Sequence, residues 1–305
     1  ASRKEEPFSF LFFGDAQNDI LSLWSRTVRA AFARAPDARF MVHAGDLINR
    51  AHSDLDWGEW FRAGGFILAM VPSIPAPGNH EYAGYTLPSG QKVPPTLSVF
   101  WEAQFTLPEN GPRWVTRESS YYVDFQGVRV VALNSSESQK AQARWLDEIL
   151  SDNPSRWTVV THHHPIFSSA GDRDNEKLRE TLQPVYDRHG VDLVLQGHDH
   201  TYARGQTPAT DGSAIRGWGV RGGETGTVYV NSVSGPKMYP FKEGNWDRYD
   251  VELGRQAEMT QFFQVVEVDG DVLRYRSYTA TGELFDAFDL LPDIRQTLHD
   301  EMNGQ

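Results

Sequence analysis

Five residues that carry electron-pair donors each follow a short apolar run: Asp15, Asp46, Asn79, His163 and His198. Four of them come directly after a glycine, at Gly14, Gly45, Gly78 and Gly197, and glycine permits a sharp turn just before the donor. Carboxylate and amide oxygens mixed with imidazole nitrogens suit a divalent transition metal. Such a site needs donors from separate segments, and loops from different strands meet at the carboxyl ends of strands in open α/β sheets. Each piece alone has an ordinary reading. Gly-Asp after a strand is a turn or a helix cap, Gly78-Asn79-His80-Glu81 is a polar turn, and His162-His163-His164 is a surface or packing cluster. Gly197-His198-Asp199-His200 says more, because alternate residues of an extended segment project to one side. All five in one chain and in this order point to a metal centre.

The elements that must hold these donors can be read from periodicity. Phe8–Phe13 and 39–44 read as buried strands, each ending in Gly-Asp. Between them Trp24, Val28, Ala31, Phe32 and Ala35 keep helical spacing until Pro36. Residues 57–70 read as a helix with Trp57, Trp60 and Phe61 inward, interrupted by Gly64-Gly65, and 70–76 is extended and proline-rich. Tyr121–Phe125 and 128–134 flank Gln126-Gly127, a hairpin signal. Ser136 and Gln139 have capping-box spacing ahead of a helix whose inner face is Gln142, Trp145, Leu146, Ile149 and Leu150. Trp157–Thr161 is a strand entering the His run, Leu178, Leu182, Val185 and Tyr186 mark a helix closed by Gly190, and 191–196 is a strand before Gly197. Residues 227–233, 262–268 and 272–278 read as strands, the last two turning at Asp269-Gly270. The glycine-rich stretch 211–226 reads as a long surface loop. Strand and helix alternate at first and strands dominate later. That pattern predicts an α/β core extended by antiparallel strands, one domain over 1–305 with a strand-rich part from about 225.

Composition narrows the chemistry. At 305 residues and 39% hydrophobic content the chain can bury a large core. No apolar run is long enough for a membrane-spanning helix. A net charge of −12 argues against binding nucleic-acid backbones and repels anionic substrates at long range. Phosphate chemistry on this chain therefore needs a local positive centre. The absence of cysteine removes disulfides, thiolate ligands and cysteine nucleophiles. No Gly-x-Ser-x-Gly elbow is present for a serine hydrolase. A chain beginning Ala1-Ser2-Arg3 fits export to the periplasm or cell exterior after signal-peptide removal, with the cytoplasm as the alternative.

The ordered set Gly14-Asp15, Gly45-Asp46, Gly78-Asn79-His80-Glu81, His163-His164-Pro165 and Gly197-His198-Asp199-His200 resembles the calcineurin-like metallophosphoesterases. Within them it is most similar to the purple acid phosphatase branch, which His163-His164-Pro165-Ile166-Phe167 and Thr201-Tyr202-Ala203-Arg204 also match. The resemblance runs from Asp15 to Arg204. It implies a four-layer α/β/β/α sandwich of two packed mixed sheets flanked by helices. It also implies a phosphoester hydrolase with two divalent metal ions (Mn, Fe or Zn) and a bridging hydroxide as nucleophile. By position, Asp46 would bridge both ions, Asp15 and His200 would hold the first, and Asn79, His163 and His198 the second. His80 would contact the phosphate and protonate the leaving oxygen; the plainer alternative is a hydrogen bond to Glu81 or a backbone carbonyl. His164 would contact phosphate or support the ligands, and His162 would be buried. Tyr202 and Arg204 would orient substrate or pack, and Arg173 is a candidate phosphate contact.

Two departures from the family pattern matter. The superfamily usually has His two residues after the first Asp, where this chain has Gln17, and the purple branch has Tyr three residues after the bridging Asp, where it has Asn49. The coloured ferric phenolate is thus not expected, and a Gln17 or Asn49 carbonyl oxygen, or water, would complete the first ion. A small phosphorylated substrate follows, a monoester by preference with a diester as the alternative. A non-catalytic scaffold is the reading from another class, and retention of six expected ligands argues against it. Tyr239, Phe241, Trp246 and Tyr249 would line a substrate mouth or pack.

Overall fold

The computed structural model describes residues 5–208, 214–217, 220–249 and 251–291. In chain order the first elements are β1 (Phe8–Phe13), α1 (Ser25–Arg34), β2 (Met41–His43), α2 (Asp54–Gly64), α3 (Phe66–Met70) and β3 (Ser73–Pro75). A small hairpin, β4 (Tyr82–Thr86) and β5 (Lys92–Leu97), precedes the short α4 (Trp101–Gln104). Then come β6 (Tyr121–Phe125), β7 (Val128–Ala132), α5 (Gln139–Ser151), β8 (Trp157–Thr161), α6 (Glu176–His189) and β9 (Leu193–Gln196). The chain continues with β10 (Tyr202–Pro208), β11 (Ala214–Gly217), β12 (Val220–Asn231) and β13 (Glu252–Ala257). It closes with β14 (Phe262–Asp269), β15 (Val272–Thr279) and β16 (Leu284–Leu290).

Two mixed sheets result. One runs β3-β2-β1-β14-β15-β16, parallel through β1, β2 and β3 and antiparallel thereafter. The other carries β6-β7-β8-β9-β12, with β10 and β13 continuing beyond β12, and is parallel from β7 through β12. β11 pairs with both β16 and β12 and so joins the sheets at one edge. Alternation along β1 decides the layering. Phe10 and Phe12 point between the sheets and join Val130, Val159 and Leu195 from the facing one. Leu11 and Phe13 point outward onto Trp24, Val28, Trp57 and Trp60 of the first helical layer. On the far side Val131, Val160 and Val194 meet Trp145, Leu146, Leu182 and Tyr186 of α5 and α6. The four-layer α/β/β/α sandwich is the observed fold.

Several local expectations change. The helix read over 57–70 starts earlier, at Asp54, where Ser53 accepts the Asp56 N–H, and breaks into α2 and α3 at Gly65 (φ 53°). The helical spacing from Trp24 to Ala35 is led in by a wide turn at Ile20–Trp24, and α1 begins at Ser25. The capping box does not form. α5 starts behind Ser138 (φ 36°), and the Gln139 amide donates to the Ser135 carbonyl instead. The surface loop expected over 211–226 is largely β11 and the start of β12, while 211–213 and 218–219 lie outside the described residues. Those strands exist because distant partners pair with them, which glycine-rich composition does not reveal.

Candidate metal centre

Because β1, β2 and β3 run parallel, and β8 and β9 likewise, their carboxyl ends open on one side of the sandwich. Asp15 and Gln17 follow β1, Asp46 follows β2, Asn79 and His80 follow β3, His163 and His164 follow β8, and His198 and His200 follow β9. Gly45 takes φ +81° at its turn. Gly197 serves closeness rather than turning, since a side chain there would run into Asp15 Oδ2. Asp46, His198 and His200 all have left-handed backbones, with φ of 49°, 71° and 54°. That conformation is costly for residues other than glycine and gathers at functional sites. It also corrects the extended reading of 198–200: the segment bends, and His198 and His200 reach opposite ends of the cluster.

Asp15, Asp46 and His163 can place one ligand atom each within a single metal's reach, and so can His163, His164 and His198. His163 belongs to both groups and sits at the middle. Its Nε2 is 3.3 Å from Asp46 Oδ2, 3.0 Å from Asn79 Oδ1 and 3.0 Å from His198 Nδ1. His200 Nε2 lies 3.5 Å from Asp15 Oδ1. Backbone carbonyls aim the rings. His163 Nδ1 donates to Ala44 O at 2.8 Å and His200 Nδ1 to Lys237 O at 2.7 Å, which aims each Nε2 inward. The carboxylates are steered by main-chain donors: His198 N–H to Asp15 Oδ2 at 2.7 Å, and His80 N–H to Asp46 Oδ1 at 2.8 Å.

The electrostatics show what such a site lacks. Burial pushes the Asp15 carboxyl up to about 8; His163 pulls it down and the Asp46 charge adds to the rise. Burial also works against ionising Asp46, yet His163 and His80 hold it below the usual carboxylate range. For His163, burial is outweighed by Asp46, and the ring rises to about 9. Burial takes His164 and His200 down to about 3, leaving both neutral and able to ligate. Asp15 Oδ1 is buried without a hydrogen-bond partner. A carboxylate held up by burial, with one oxygen unmet and neutral imidazoles beside it, fits a bound cation. The donor set therefore suits divalent metal.

Not every expected residue joins the cluster as a ligand. Gln17 turns its amide nitrogen, not its oxygen, toward the centre, 2.7 Å from Asp46 Oδ2 and 3.2 Å from His200 Nε2. Asn49 lends its backbone carbonyl to His80 Nδ1 at 2.7 Å, so the carbonyl-bonded reading of His80 holds for that nitrogen. Asn49, His52, Asn79, His80 and Tyr85 line a cleft of about 580 Å³. His164 is held through Nδ1 by Ser135 Oγ at 2.8 Å, with its ring against those of His163 and His198. His162 is buried, its Nδ1 on the His164 carbonyl. Arg173 donates to the His198 carbonyl at 2.6 Å and stacks on Tyr239, which abuts His200.

Tyr202 is a correction. Its ring is fully buried between the sheets, and its hydroxyl is committed to Asp286 at 2.8 Å and to Tyr275. Arg204 pairs with the same Asp286, so both residues pack rather than orient substrate. Trp246 and Tyr249 pack on Phe167. Sequence reasoning missed Lys237, whose Nζ reaches Gln17 Oε1 at 3.3 Å; a lone lysine in no motif gives no local signal.

A family model described as calcineurin-like phosphoesterase matches residues 8–202. An uncharacterized protein of Mycobacterium tuberculosis is 29% identical over 168 residues, covering 48% of this chain and 30% of that protein. Purple acid phosphatase 21 of Arabidopsis thaliana is 29% identical over 180 residues, covering 56% of this chain and 40% of the phosphatase. The chain thus spans less than half the length of these two curated relatives. Among solved structures, purple acid phosphatase PPD1 from yellow lupin (Lupinus luteus) aligns with 97% of this chain and 55% of its own, at TM-score 0.70 and 18% identity. That likeness is one of fold.

Proposed function

The chain belongs to the calcineurin-like phosphoesterase family, and we propose that it is a two-metal phosphomonoesterase acting on a small phosphorylated substrate. The observation that carries this reading is the meeting of six donors from five strand ends around Asp46 and His163. Asp15 and His200 would hold one divalent cation and Asn79, His163 and His198 the other, with Asp46 shared. Bound there, the cations would neutralise phosphoryl charge and lower the pKa of water from 15.7 to about 7.

The chain's own groups supply the rest. His80, with Nδ1 tied to the Asn49 carbonyl, presents Nε2 at the mouth of the cleft, where a doubly protonated ring can give a proton to the leaving oxygen. His164, fixed by Ser135, stands beside His163 and His198 as a phosphate contact. Asn79 is exposed at the rim, while Asp15, Asp46 and His163 form the buried floor. The products are inorganic phosphate and an alcohol.

Replacing Asp46 with Asn tests the reading: bound metal should fall and turnover of nitrophenyl phosphate should vanish. Near-parental turnover in that variant refutes the shared-ligand role. Rates on nitrophenyl phosphate and bis-nitrophenyl phosphate, measured side by side, decide the ester class. A faster diester reaction would make the enzyme a phosphodiesterase.

A further inference from the structure

Gln17 is fully buried, and the orientation of its amide is set by charge at both ends. Nε2 donates to Asp46 Oδ2 at 2.7 Å and lies 3.2 Å from His200 Nε2. Because His200 Nδ1 gives its hydrogen to the Lys237 carbonyl, Nε2 offers Gln17 a lone pair. The two amide hydrogens therefore meet two lone pairs that the ligand scheme assigns to metal. At the other end Lys237 Nζ donates to Gln17 Oε1 at 3.3 Å. Reversing the amide would press its N–H groups on the lysine and its oxygen on the carboxylate.

The other cation position is built differently. Around it the Asn79, His163 and His198 donor atoms face one another at 3.0 Å, and among the described residues no amide donor is set between them. A cation entering beside Asp15 and His200 must displace the Gln17 hydrogens and sit near the Lys237 charge. A cation at the Asn79 position has Arg173 near it, donating to the His198 carbonyl, and takes the place of the hydrogen that His163 Nε2 gives to Asn79 Oδ1, but no lysine-held amide stands there.

We propose that Gln17, oriented by Lys237, makes the two metal positions unequal, with tight binding at Asn79, His163 and His198 and weak, exchangeable binding at Asp15 and His200. The inference rests on the two-metal reading above. Losing two hydrogen bonds, one of them to a charged acceptor, should weaken the Asp15–His200 position by about 10–100-fold relative to the Asn79 position. Lys237 and Gln17 are positioning residues here.

Calorimetric titration of the metal-stripped chain with Mn(II) alone reads this without any turnover. The parent should take up one tight and one weak equivalent. In Lys237→Met the amide is free to turn its oxygen inward, and Gln17→His supplies an imidazole; both should tighten the weak equivalent by about 10-fold. Two equal, tight equivalents in the parent would overturn the inference and leave the two-metal reading standing. A weak equivalent unmoved by both variants would overturn it too. Uptake of no Mn(II) would overturn the metal reading and this inference with it.

Discussion

His80 donates from Nδ1 to the Asn49 carbonyl at 2.7 Å, while its Nε2 faces the centre 4.0 Å from Asp46 Oδ2. One nitrogen is thus anchored and the other is free to act on substrate. Replacing His80 with Ala should lower kcat for alkyl phosphates by roughly 10²–10⁴-fold. Nitrophenyl phosphate should lose less, because nitrophenolate leaves without a proton. Equal losses on both substrates would remove His80 as the acid.

Glu81 supports the site from beneath. Its carboxylate accepts the backbone N–H groups of Gly78 at 2.6 Å, Asp46 at 2.9 Å and Leu47 at 2.8 Å, which fixes the Asp46 turn to the Asn79 turn. Burial, and then the charge of Asp46, lift its carboxyl to about 7. In Glu81→Ala those donors are buried without an acceptor, at about 1–3 kcal/mol each. Urea denaturation should show a loss of about 3 kcal/mol or more, with Glu81→Gln losing less because one oxygen remains. An Ala variant with the parental midpoint would show that the turns are held by other contacts.

The strand-end donors were legible because glycine punctuation and apolar runs are local signals. What those donors touch was less so. Gln17 appeared as a candidate oxygen ligand, yet its amide orientation depends on Lys237, 220 residues away in sequence. Tyr202 stands two residues after His200 and shares its motif, but its hydroxyl answers to Asp286, 84 residues on. Composition misread 211–226 for the same reason: β11 pairs there with β16 and with the start of β12. Long-range pairing decided each case.

Colour offers a separate check on the ligand set. Asn49 occupies the place where the purple branch carries its tyrosine, and its carbonyl is engaged by His80. Iron-loaded protein should therefore show no visible phenolate charge-transfer band. A tyrosine at this end of the cluster is Tyr239, whose ring centre is 4.9 Å from that of His200 and is covered by Arg173. A visible band would contradict the expectation, and its loss in Tyr239→Phe would assign the ligand.

His43 gives the fold an acid-sensitive point outside the ligand cluster. It is fully buried among Phe13, Trp24 and Trp60, with Nε2 near Ser73 Oγ at 3.2 Å and Nδ1 lacking a partner. Burial lowers its pKa from 6.5 to about 3. Between these values the unfolded chain binds a proton that the folded chain refuses, so stability falls as pH drops below 6.5. From pH 7 to pH 5 this group should remove about 2 kcal/mol. His43→Phe keeps a flat ring in the same aromatic setting and has no proton to bind. Whatever its stability at pH 7, its loss on acidification should be smaller than the parent's by about that amount, read from urea midpoints at both pH values. Parallel losses in parent and variant would show that His43 is not the group being titrated.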